Sequence, residues 1–157
     1  TNKVSQAATE WQNQPLESLY MIVWMDDIVF KVRENGKVIN KTVYLCVGLN
    51  KEGLKEVLGM WIGKNESAAF WLGVLTDLKA RSVEDILTTV TDKLNGFTET
   101  IKSVFPASIT QICVVHQIRN SCRHVVWKEK KEFTADLSNI YNAPIKEAVE
   151  MELDNFE

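Results

Sequence analysis

Cysteine is scarce and odd in number, with only Cys46, Cys113 and Cys122 in 157 residues. That excludes a disulfide-stapled scaffold and leads us to expect a reducing compartment. No excess of positive charge exists either: 18 Lys and Arg stand against 21 Asp and Glu, a formal charge of −3. A uniformly basic coat is therefore excluded, and any nucleic-acid contact has to come from a local patch. The longest uncharged apolar run, residues 19–25, falls far short of the roughly 20 residues that span a bilayer. With 7 Gly and 3 Pro there is no long flexible linker, and no internal repeat is visible. Neither a signal-peptide pattern nor an initiator Met opens the chain. A soluble, excised, intracellular piece is the expectation.

What is present suits a folded domain. Apolar residues make up 45% and charged residues 25%, and the length allows one globular domain with a sizeable core. Residues 1–17 are polar, with Trp11 and Leu16 as the only anchors, and read as an approach segment with at most a turn or two of helix. Leu19-Tyr-Met-Ile-Val-Trp-Met25 is short, β-branched and aromatic, which predicts a strand buried on both faces and ending at Asp26-Asp27. The strand pattern resumes over residues 28–33. Asn35-Gly36 suits a two-residue type I′ hairpin, with residues 38–49 as the returning strand. After a turn at 50–53, residues 55–62 form a third strand.

The period then becomes helical. Phe70, Trp71, Val74, Leu75 and Leu78 recur at helix spacing, with Asn65 or Ser67 as the cap. Residues 86–91 read as a strand ending in Asp92, and Phe97, Ile101 and Val104 mark a brief helix. A fifth strand is expected over 110–115, followed by a helix carrying Ile118, Cys122, Val125 and Val126. Residues 136–141 and 144–156 read as helices, with Pro144 suited to a start. A meander followed by β/α crossovers predicts an α/β fold of the ribonuclease H-like order. Its mixed five-stranded sheet combines a three-strand antiparallel meander with two parallel strands, flanked by helices on both faces.

Two acids therefore close two apolar strands, Asp26 and Asp92. If those strands lie side by side and parallel, the carboxylates face each other, and such a pair resists double ionisation unless a cation sits between. Oxygen donors select Mg²⁺ or Mn²⁺, and two such ions can support phosphoryl transfer. Taken alone, strand-end acids are more often solvated turn residues. Asp27 competes with Asp26, because alternation points the two to opposite faces.

Several further blocks bear on the choice: Met25-Asp26-Asp27-Ile28, Lys31-Val-Arg33, Asn40-Lys41, Glu56-Val-Leu-Gly59, Trp61, Phe70-Trp71-Leu72, Val74-Leu75, Asp85-Ile-Leu87, Gly96-Phe97 and Val104-Phe-Pro106. Together with Cys113-Val-Val-His-Gln-Ile-Arg-Asn-Ser121, they resemble the mutator-type transposases of bacterial insertion sequences, from about Trp11 to the last residue. The resemblance implies that Asp26 and Asp92 are the first two catalytic, metal-ligating acids of a DDE-type DNA transposase using Mg²⁺ or Mn²⁺. Such an enzyme binds the terminal inverted repeats of its element, cuts double-stranded DNA by metal-activated water, and joins the freed 3′-hydroxyl to target DNA. It also implies a homodimer that brings two element ends together, no membrane, and a bacterial cytoplasmic, nucleoid-associated setting. Asp27 stands where the family often has a small residue, and Lys93 where it usually has Gly or Asn.

In the family the third carboxylate is a Glu that follows a long all-helical insertion. The resemblance divides the chain into an approach segment (1–18), a catalytic core (19–126) and the beginning of that insertion (127–157). Glu129 has the shorter spacing of retroviral integrases, but Lys128, Lys130 and Lys131 around it resemble insertion sequence, so it is not nominated. A fragment without that Glu is expected to bind metal weakly and not to cut DNA. Two alternatives are a ribonuclease H-like nuclease acting on RNA–DNA hybrids, and a remnant that only binds DNA or dimerises.

Other signals carry less. Cys113, His116, Cys122 and His124 suit zinc by type but not by spacing. His116 is either a structural residue at a strand–helix junction or a group near the active site or the DNA backbone. Arg119, Arg123, Lys128, Lys130 and Lys131 stand against one acid, Glu129, and form the best phosphate-contact candidate; Arg119 and Arg123 would share a helix face. Trp61, Phe70 and Trp71 follow core periodicity and read as packing. The acidic residues 147–157, with Val149, Met151 and Leu153 among them, are expected to dock on a second copy or to be partly disordered.

Overall fold

The structure, a computed structural model, describes residues 2–63, 67–92 and 95–156. Helix α1 (Asn2–Gln12) fills most of the polar opening segment and is longer than the turn or two expected there. Ala7 and Ala8 favour helix intrinsically, and the Gln12 side chain ties its end to the sheet by accepting from the Met60 N–H at 3.0 Å. Strands β1 (Leu19–Glu34), β2 (Lys37–Asn50) and β3 (Lys55–Gly63) form an antiparallel meander. Its first turn holds Asn35 and Gly36 at φ 51° and 75°, both positive as a type I′ turn demands. The second is closed by the Asn50 side chain, which accepts from the N–H groups of Glu52 and Leu54 at 3.1 and 2.9 Å.

Helix α2 (Ala68–Ala80) starts at Ser67, whose hydroxyl accepts from the Phe70 N–H at 3.1 Å. The other candidate cap, Asn65, lies outside the described residues, as does Lys93. Strand β4 (Asp85–Thr91) runs parallel to β1, and α3 (Phe97–Val104) leads to β5 (Ile109–Ile112). Then come α4 (Val114–Ser121), a 3₁₀ turn (Cys122–His124), α5 (Lys130–Tyr141) and α6 (Lys146–Asp154). The sheet order is β3-β2-β1-β4-β5, the ribonuclease H-like arrangement expected from the pattern.

Three expectations need correction. β1 does not stop at Asp26-Asp27 but runs on for eight residues past Asp26, because β2 continues to pair its backbone through Glu34↔Lys37 whatever the side-chain charge. Nor is it buried on both faces: Tyr20, Val23 and Met25 are buried, while Met21 is 40% exposed. β5 is short, and Val114-Val115 open α4 rather than prolonging a strand.

The chain divides into two compact units, Thr1–Gln111 and Ile112–Glu157. In the first, Trp71 stacks on Phe97 with ring centroids 4.9 Å apart and meets Tyr44 edge-on at 5.6 Å. Leu58, Leu75, Leu78, Ile86 and Ile101 are buried around them. Gly48 is required by this packing, since a Cβ there would stand 2.6 Å from the Tyr20 ring. Arg81 pins the helix end to two other segments: its Nη1 donates to the Leu58 carbonyl at 2.6 Å and its Nε to the Gln14 carbonyl at 3.0 Å. In the second unit, Phe133 and Phe156 bring α5 and the end of the chain together at 5.5 Å.

Candidate metal centre

Between β1 and β4 the parallel register runs from Leu19↔Asp85 to Trp24↔Val90, a constant offset of 66 residues (85 − 19). Asp26 and Asp92 differ by the same offset. Two residues past the last paired position they stand level on neighbouring strands, so the spacing of the acids is the register of the sheet. Their carboxylates offer oxygens within 4.8 Å of each other, with Asp26 exposed and Asp92 half-buried. Asp26 Oδ1 also accepts from the Asp27 N–H at 2.8 Å, which fixes the turn of that side chain.

Asp26 therefore lies within β1 and not at its end, while Asp92 directly follows β4. The site forms where β4 stops pairing with β1 and β1 continues with β2 alone. Asp27 alternates to the other face, across from Tyr44, and is not part of the pair.

The donor set fits a hard divalent cation. Mg²⁺ binds oxygen at about 2.0–2.1 Å, so two ligands of one ion stand up to about 4.2 Å apart. A pair within 4.8 Å reaches that with small side-chain movement. Two carboxylates this close repel when both are charged, and a cation between them removes the penalty.

The remaining nominated residues belong to the second unit. His116 is half-buried in the first turn of α4. Arg119 lies near the end of α4, whereas Arg123 lies in the 3₁₀ turn beyond it. Arg119, Arg123, Lys128 and Lys131 are exposed, and the ammonium of half-buried Lys130 sits 5.9 Å from the Trp127 ring centre. Glu129 occupies the N-cap position of α5. Trp71 is buried, with Trp61 and Phe70 packed against the core, as their periodicity indicated.

A family model described as "Transposase, Mutator family" matches residues 1–157. The chain belongs to the mutator family of transposases. Among relatives of this mutator-family chain, a probable transposase for an ISRM3-like insertion sequence element from Sinorhizobium fredii (strain NBRC 101917 / NGR234) is 45% identical over 157 residues. That match covers 100% of this chain and 39% of the relative. A transposase for insertion sequence element ISRM3 from Rhizobium meliloti (strain 1021) has the same identity and coverage. The chain thus spans about two-fifths of the length of these relatives. Among solved structures, the Drosophila P element transposase strand transfer complex is similar at 12% identity and a TM-score of 0.43, covering 74% of this chain and 32% of that one. No helix among the described residues is long and apolar enough to cross a membrane.

One basic group in the mutator-family chain was not singled out from sequence: Lys31, Arg33, Lys37 and Lys41, on the outer part of β1 and β2. The signal was available as cations repeating at alternate positions around a hairpin turn in an acidic chain.

Proposed function

We propose that the chain is the part of a DNA transposase that carries the first two catalytic carboxylates, and that Asp26 and Asp92 hold Mg²⁺ or Mn²⁺ for cutting and joining DNA at insertion-sequence ends. The observation that carries this reading is the level placement of the two acids on adjacent parallel strands. Bound divalent cations supply the Lewis acidity that phosphoryl transfer requires. Asp26 and Asp92 set where that charge sits, and the sheet beneath them keeps the placement from relaxing when DNA arrives. Lys and Arg near Glu129 take the role of phosphate contacts, with His116, Arg119, Arg123, Lys128, Lys130 and Lys131 as the set. The third carboxylate is assigned outside these 157 residues, so the chain alone binds cation weakly and does not cleave. Pairing of two element ends calls for a homodimer.

The test is a Mn²⁺ titration of the chain followed by NMR line broadening, with Asp26→Ala and Asp92→Ala beside the unchanged protein. Broadening centred on both acids and abolished in either variant is expected. Broadening that persists in both variants, or that centres elsewhere, overturns the assignment.

A further inference from the structure

Among the described residues, β4 partners β1 as far as Trp24 and no further, and β3 partners β2 from Thr42 onward. Among the described residues, 28–34 and 37–41 therefore pair with each other alone, as a two-stranded ribbon largely exposed on both faces. At about 3.4 Å per residue it reaches roughly 20 Å beyond the sheet. Two isolated strands are marginal in water, which makes a ribbon of this length something that a partner completes.

Its charge names the partner. Lys31, Arg33, Lys37 and Lys41 face a single acid, Glu34, in a chain whose total is −3. Glu34 is itself engaged, with Lys41 Nζ at 3.2 Å. The pairing Lys31↔Asn40 and Arg33↔Val38 puts two cations on one face, while Phe30↔Lys41 and Glu34↔Lys37 put the other two on the opposite face. Lysines also keep an exposed strand edge from pairing with another chain, but that role does not call for four cations spread over both faces of the ribbon. Cations on both faces instead match an object with anions on two walls. The major groove of duplex DNA is about 12 Å wide and admits a two-stranded ribbon between its phosphate rows.

We propose that this ribbon, through Lys31, Arg33, Lys37 and Lys41, is a duplex-DNA contact separate from the basic residues of the second unit. The proposal rests on the reading of the chain as a DNA-binding transposase piece. Lys31 and Arg33 are five and seven residues beyond Asp26 on the same strand, about 17 and 24 Å. DNA held at Asp26 meets the ribbon roughly five to seven base pairs from the reacting phosphate, at about 3.4 Å per pair.

The experiment measures binding of a fluorescein-labelled mixed-sequence duplex by anisotropy across a salt series. It uses the unchanged chain, a Lys31→Gln/Arg33→Gln/Lys37→Gln variant, a Lys31→Arg/Lys37→Arg variant and an Arg119→Gln/Arg123→Gln variant. Circular dichroism and urea-unfolding midpoints confirm that each remains folded. The triple variant is expected to lose roughly 10- to 100-fold in affinity, and its plot of log K against log salt to flatten by about 2 to 3. The Arg-for-Lys variant keeps both values. A triple variant that binds with unchanged affinity and slope overturns the ribbon while leaving DNA binding through the second unit intact. An unchanged chain that binds no duplex overturns both readings. Substitutions that alter sedimentation of the chain but not DNA affinity assign the ribbon to a protein partner and overturn the proposal.

Discussion

Fifteen described apolar side chains are buried in the Thr1–Gln111 unit, whereas no described residue of Ile112–Glu157 is buried. The first unit is held by contacts between segments far apart in sequence: β1 with β4, and Trp71 with Phe97 and Tyr44. The second is built from short helices whose bonds are local, with Trp127 84% exposed. Helices of eight to twelve residues have little stability of their own. The cooperative core, and with it the Asp26–Asp92 pair, belongs to the first unit.

Two tryptophans give the widest contrast. Trp71→Ala is expected to cost about 3–5 kcal/mol, because it empties the centre of the core. Trp127→Ala is expected to change stability by no more than about 0.5 kcal/mol. Urea unfolding followed by circular dichroism reads both. Equal losses would show that the second unit has a core of its own weight, and the contrast would fail.

The thiols sharpen the same contrast through pH. Burial pushes the Cys46 thiol well above its ordinary value, with Asp77 adding to the effect. A group whose native pKa is raised stabilises the fold fully below its unfolded value. That contribution is lost as pH rises past about 8.5 toward the native value, by up to about 1.4 kcal/mol per pH unit. The urea midpoint should therefore fall above about pH 8.5, and fall less steeply in Cys46→Ala. Half-buried Cys113 and Cys122 should react with a thiol reagent before Cys46 does. Rapid modification of Cys46 in the native chain would contradict the burial.

A smaller loss, about 1 kcal/mol, is expected for Ser67→Ala, which removes the hydroxyl that accepts from Phe70 N–H. Thermal melts would resolve it, and an unchanged midpoint would mean that α2 is held by its buried face alone.

The features legible in the sequence are those written locally. Asn35-Gly36 announced the hairpin, Ser67 the start of α2, and the spacing of Phe70, Trp71, Val74, Leu75 and Leu78 its buried face. The two acids were legible as a pair because each follows or interrupts an apolar strand. The course of β1 beyond Asp26 was not, since its backbone is satisfied by β2 at a distance and its side chains there are exposed. Val114-Val115 misled for a related reason: β-branched residues favour strands, but the chain turns into α4 at Cys113. The passage from α4 into a 3₁₀ turn at Cys122 is a local tightening that no periodicity shows.

The parallel pairing of β1 with β4 also has a consequence for synthesis. The apolar edge of β1, residues 19–24, acquires its partner only when residues 85–90 have been made. At about 5–20 residues per second, that leaves the edge unpaired for several seconds on the ribosome. During that interval the meander of β1, β2 and β3 can form, but it presents a hydrophobic strand edge to any neighbouring nascent chain. The Asp26–Asp92 pair is thus completed only once β4 has been made, and the same step that brings Asp92 beside Asp26 covers that apolar strand edge.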